Sequence, residues 1–277
     1  MKIIISHDVD HITVWEHKKD LIVPKFIIRS SIELYLGKIC IEEYFLRFKS
    51  LVTNKWQNLE KLMQFDKENV IPSTFFIGVS NGVGLRYSLQ LAELWTKKIA
   101  GKGFDVGVHG IAYNNFEKIK EEFEAFKRIS SFEKFGIRMH YLRNDESTLS
   151  FLEKVGYLFD SSIYGLKNPF KIGNMWEFPL HIMDGHIFYI NSRWQNQTLK
   201  QAKDRTKAIV EKAYKNGINY FTILFHDRYF SEEFKSWKEW YIWFITYLRD
   251  NRFQFIGYKD AMKELENNIN EKNMDNK

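Results

Sequence analysis

Short runs of β-branched and aromatic residues alternate with amphipathic stretches of helical period, and this alternation restricts the possible fold more than any other feature. Residues 2–6, 73–78, 104–108, 136–142, 186–190 and 219–225 read as strands. Residues 54–68, 87–101, 115–132, 145–155, 198–215 and 234–250 space their apolar side chains as helices do. A β-α-β-α order predicts an α/β protein, its mostly parallel sheet or barrel wrapped in helices. Residues 12–52 break the rhythm. They mix helical and aromatic residues (Phe26, Ile32, Tyr44, Phe45, Phe48) without a strand, and predict a helical insertion near the mouth of any site. From Glu264 onward, Asn, Glu and Lys dominate, so residues 263–277 are expected to fray into a disordered tail.

The strand ends carry the chemistry. Ile3-Ile4-Ile5 runs straight into Ser6-His7-Asp8-Val9-Asp10-His11, which crowds two carboxylates and two imidazoles at the end of a buried strand. An unpaired buried carboxylate costs several kcal/mol or takes up a proton, so the pattern points to a metal, a positioned cation or an acid/base pair. The pattern recurs at Val108-His109-Gly110, at Arg138-Met139-His140, at Trp176-Glu177 and at Phe225-His226-Asp227. Carboxyl ends of parallel strands are where α/β proteins build sites. Taken together, these residues argue for one shared pocket.

In this order the segments resemble the polysaccharide deacetylases of the NodB-homology type (carbohydrate esterase family 4), from residue 1 to about residue 228. His7-Asp8-Val9-Asp10 is similar to that family's first motif, and Ser73-Thr74-Phe75-Phe76 to its Ala-Thr-Phe-Phe strand. Asp105 to His109 leads to its metal-binding motif, Arg138 looks like its third-motif arginine, and Leu224-Phe225-His226-Asp227 looks like its last motif. The resemblance implies a distorted (β/α) barrel of about seven strands. It also implies one catalytic domain over residues 1–262, with Asp8 as base, Asp10 and His109 as metal ligands, Arg138 orienting Asp8, and His226 as acid. One position departs from the pattern: where the family has a second histidine four residues on, this chain has Tyr113. A phenol keeps its proton at neutral pH and is a poor zinc ligand. His140, on the same strand face as Arg138, is the candidate replacement, with His11 second.

The expected activity is removal of an acetyl group from an acetamido sugar, with a divalent metal such as zinc, on a glycan precursor. Three readings stay open beside it: a metal-independent amidase on a small non-sugar amide, an esterase cleaving O-acetyl groups, and a non-catalytic carbohydrate-binding protein. The net charge of +6 is spread among acids without a basic stripe, which argues against nucleic acid as a partner. A single cysteine, Cys40, excludes an internal disulfide and fits a reducing compartment. No apolar run approaches the roughly 20 residues of a membrane span, and no leader-like segment opens the sequence, so the expected location is the cytoplasm. Peripheral membrane contact would need an exposed apolar face on the insertion.

Overall fold

The computed structural model describes residues 1–275. The chain runs β1 (Lys2–Val9), α1 (Ile22–Tyr35), α2 (Ile41–Val52), α3 (Leu59–Glu68), β2 (Thr74–Ile77), α4 (Leu89–Gly101), β3 (Asp105–Gly110), α5 (Phe116–Ser130) and β4 (Ile137–Met139). It continues through α6 (Thr148–Val155), β5 (Phe159–Asp160), β6 (Phe170–Ile172), β7 (Met175–Glu177), β8 (Leu180–Met183) and α7 (Asp184–Phe188). The last elements are α8 (Leu199–Lys215), β9 (Tyr220–Leu224), α9 (Lys235–Asp250), β10 (Gln254–Phe255) and α10 (Tyr258–Asp275). The strands form one curled sheet in the order β6-β7-β5-β4-β3-β2-β1-β9-β8, with β10 added beside β1. Every pairing is parallel except β6 with β7. The result is a deformed half-barrel with helices on its outside.

The two-residue period of a strand sorts β1 into two faces. Ile3 and Ile5 join the large cluster beneath the helices, while Ile4 packs with Phe76, Phe159, Trp176, Phe178 and Tyr258 inside the curl. Ser6 and Asp8 share the parity of Ile4 and turn inward. His7 turns outward: its Nε2 lies 2.8 Å from Asp66 of α3, and its Nδ1 donates to the Phe225 carbonyl at 2.8 Å. The first imidazole of the opening motif is therefore packing, not site.

Six of the expected helices form within a few residues of their predicted bounds. The strand expected at 186–190 does not form. Those residues lie mostly in the short helix α7, and the strand sits earlier as β8. The strand expected at 136–142 stops at Met139, because Tyr141 (φ 57°) and Leu142 (φ 52°) reverse the chain through left-handed conformations. The segment expected as a tail continues as helix α10 to Asp275; its last residues, 276–277, lie outside the described ones. The insertion over 12–52 is helical as expected, a single 3-10 turn (Trp15–His17) followed by α1 and α2.

Candidate active site

All parallel strands end on one side of the sheet, and the polar residues predicted from sequence gather there. Asp10 follows β1, His109 lies near the end of β3, His140 follows β4 and His226 follows β9. The register sets His109 beside Arg138 and Ser6 beside Leu224. Asp8, Asp10, His109, His140 and His226 line one cavity of about 790 Å³.

Three donors converge. Asp10 Oδ1 lies 3.1 Å from His109 Nε2 and 3.2 Å from His140 Nδ1, and those two ring nitrogens are 3.0 Å apart. The other nitrogen of each ring meets a backbone carbonyl: His109 Nδ1 the carbonyl of Arg138 at 3.0 Å, His140 Nε2 that of Val83 at 3.2 Å. A carbonyl only accepts, so each ring spends its N–H there and aims a lone pair at the other ring and at the carboxylate. That arrangement attracts positive charge. Burial works against a charge on His109, but Asp8 and Asp10 outweigh it and raise its pKa. Burial likewise opposes the Asp10 carboxylate, yet His140 and His109 when they carry a second proton, together with His226, hold it well below the usual range. Two imidazoles and one carboxylate within reach of a common point could hold a metal ion. Tyr113 is elsewhere, beneath the Arg143 guanidinium at 5.0 Å. The third donor is thus His140. His11 lines the cavity but spends its Nδ1 on His17 Nε2 at 3.0 Å.

Asp8 sits beside this cluster, Oδ2 3.8 Å from His109 Nε2 and Oδ1 3.4 Å from the Arg138 guanidinium. Arg138 is wholly buried and pinned at every nitrogen: to Ser6 Oγ (2.8 Å), the Ser161 carbonyl (2.9 Å), Ser161 Oγ (2.8 Å) and the Tyr258 hydroxyl (2.9 Å). On the other side His226 points Nε2 toward Asp10 Oδ2 at 3.6 Å, while Nδ1 meets Asp184 at 2.8 Å. Asp184 also accepts the His226 backbone N–H at 2.7 Å. Burial lowers the His226 pKa, but Asp184, then Asp10 and Asp8, outweigh it and lift the ring to about 10.

Asp184 is not among the residues singled out in the sequence, where Asp227 stands directly after His226. Asp227 instead accepts the Asn58 backbone N–H at 3.0 Å, and burial pushes it up to about 7. Trp176 and Glu177, which repeat the polar strand-end pattern in the sequence, are buried in β7 away from the cavity. Burial and the neighbouring Asp160 push Glu177 well above the carboxylate range.

No protein-family model matches the sequence, and no curated protein does. Solved structures do match. A Mycobacterium smegmatis protein described as a polysaccharide deacetylase superposes with a TM-score of 0.64 at 12% identity, over 96% of this chain and 90% of that one. A Pseudomonas aeruginosa protein described the same way gives 0.59 at 12% identity, over 94% and 88%. The allantoinase Puue gives 0.59 at 11% identity, over 94% and 87%. The architecture is therefore the deformed barrel of the NodB-like polysaccharide deacetylases, in agreement with the motif order.

Proposed function

We propose that this protein is a metal-assisted hydrolase that removes an acetyl group from an acetamido sugar. The observation that carries the reading is the placement of a restrained carboxylate and a charged imidazole on opposite sides of one Asp-His-His cluster. Asp10, His109 and His140 would hold a divalent ion, which when bound supplies charge to polarise an amide carbonyl and to acidify water. Asp8 accepts a proton from the attacking water. The Arg138 guanidinium 3.4 Å from its Oδ1 holds the side chain in place beside the cluster. His226 donates from Nε2 to the departing amine nitrogen, and Asp184 keeps the ring charged and fixes which nitrogen faces the cavity. A base and an acid held in this way serve bond cleavage; a protein that only binds sugar has no need of them.

The cavity also favours a substrate that carries an anion. Arg29, Arg193 and Arg228 line it, and among the described residues none forms an ion pair with a carboxylate. A phosphate attached to the acetamido sugar, as in a nucleotide- or lipid-linked glycan precursor, matches such a wall. The test is acetate release from acetamido sugars and their 1-phosphates, with and without chelator. Activity abolished by chelation, restored by Zn²⁺ or Co²⁺, and higher on the phosphate supports the reading. Full activity in chelator refutes the role of the ion.

A further inference from the structure

The helical insertion buries charged side chains and leaves a row of apolar ones exposed. α1 and α2 bury their polar residues against each other: Arg47 Nη1 lies 2.5 Å from Glu33 and donates to Ser30 Oγ at 3.3 Å, and both Arg47 and Glu33 are 1% exposed. Arg47 also donates from Nε to the Glu233 carbonyl at 2.8 Å, which ties α2 to the body of the protein. Meanwhile Leu21, Ile28 (59% exposed), Tyr35 (90%), Ile41, Phe45 (65%) and Val52 face solvent. From the N-cap of α1 these recur at helical spacing, Leu21–Ile28–Tyr35, and on α2 likewise, Ile41–Phe45–Val52. A surface helix normally shows the reverse arrangement, and exposed apolar area of this kind marks a contact surface.

The charges around it select the contact. Between residues 12 and 55 the exposed charged side chains are Lys18, Lys19, Lys25, Lys49 and Lys55 against a lone Glu42. Trp15, half exposed with the Lys18 ammonium 4.1 Å over its ring, adds a side chain suited to a water–lipid boundary. A second copy of the chain would bring these lysines against one another, whereas an anionic bilayer complements them. The face is also continuous with the site, since α1 lines the cavity with Ile22, Lys25, Phe26 and Arg29. We infer that the α1–α2 pair docks on an anionic membrane surface, lying in the headgroup layer with the cavity mouth at its edge. Among the described residues no helix is long and apolar enough to cross the bilayer, so the contact is peripheral.

The experiment is flotation with vesicles of phosphatidylcholine, with and without phosphatidylglycerol, using the wild type and the double variant Ile28→Ser/Phe45→Ser. Both side chains are exposed and outside the cavity, so the thermal midpoint should not move. The expected result is wild-type flotation with anionic vesicles, weakened by salt, and a loss of about tenfold or more in the variant. Failure to float, flotation unaffected by the double substitution, or equal affinity for neutral vesicles overturns the inference. So does self-association of the wild type that the same substitution abolishes. None of these readouts depends on catalysis, so the membrane contact and the proposed reaction stand or fall separately.

Discussion

Replacing Asp184 by asparagine should shift the alkaline limb of the pH–rate profile. Burial alone would depress His226; Asp184, with Asp10 and Asp8, raises it from 6.5 to about 10 instead. That rise of about 3.5 units is equivalent to about 5 kcal/mol of preference for the charged ring, at about 1.4 kcal/mol per unit. The side chain is only 18% exposed, so solvent screens little of it. Asparagine preserves the shape and can still accept the backbone N–H, but it carries no charge. With the leading carboxylate gone, only Asp10 and Asp8 oppose burial, and the ring falls toward its ordinary value of about 6.5. A ring that falls all the way to about 6.5 would be roughly 3% protonated at about pH 8, so turnover should drop by up to about 30-fold there, while the two enzymes converge below about pH 6. The assay is kcat for acetate release across the pH range, paired with an NMR titration of the His226 imidazole. A parallel loss at every pH, with the limb unmoved, would show that Asp184 only holds structure.

Asp8→Asn should lower kcat by about 10²–10⁴-fold with metal content unchanged, read by acetate release beside elemental analysis. His140→Ala should lower bound metal sharply, whereas Tyr113→Phe should leave it unaltered; equal loss in both would put the third donor in the wrong place. Arg138→Met should cost about 3–5 kcal/mol in chemical denaturation, because it strands the buried Asp8 carboxylate. Gly107→Ala should lower the thermal midpoint, since the added Cβ would meet the Gly136 carbonyl at 2.6 Å and the Phe76 ring at 2.9 Å.

The long helices and the central strands were legible because each carries enough residues to display a period. β5, β6 and β7 are two or three residues each and show none. That brevity also hid Asp184. Leu180-His181-Ile182-Met183 makes a four-residue strand directly after Pro179, while Ile187-Phe188-Tyr189 nearby offered a more apolar run that folds as a helical turn. A carboxylate at a strand end was the right signal, read one element too late. His140 could be found because Tyr113 left a ligand short and strand parity fixed which faces Arg138 shares. The parity argument did not show that His7 looks away from the pocket, because the inward face of β1 is chosen by Ile4 and its partners across the curl, none of them close in sequence. The exposed stripe on α1 and α2 was illegible for a related reason. The sequence shows an amphipathic helix but not which side it offers to water.

β1 lies in the middle of the sheet, yet the strand that completes one of its flanks is β9, with Lys2 opposite Tyr220. During synthesis β1 must therefore wait until β9 has been made before that edge is covered, with Asp8 and Asp10 at its tip and His226 not yet made. A nascent or truncated chain ending before β9 would present a bare, β-branched ladder of unpaired amides, a template for aggregation. Chaperone capture of such intermediates, and insolubility of fragments that stop short of residue 220, are what this strand order asks of the cell.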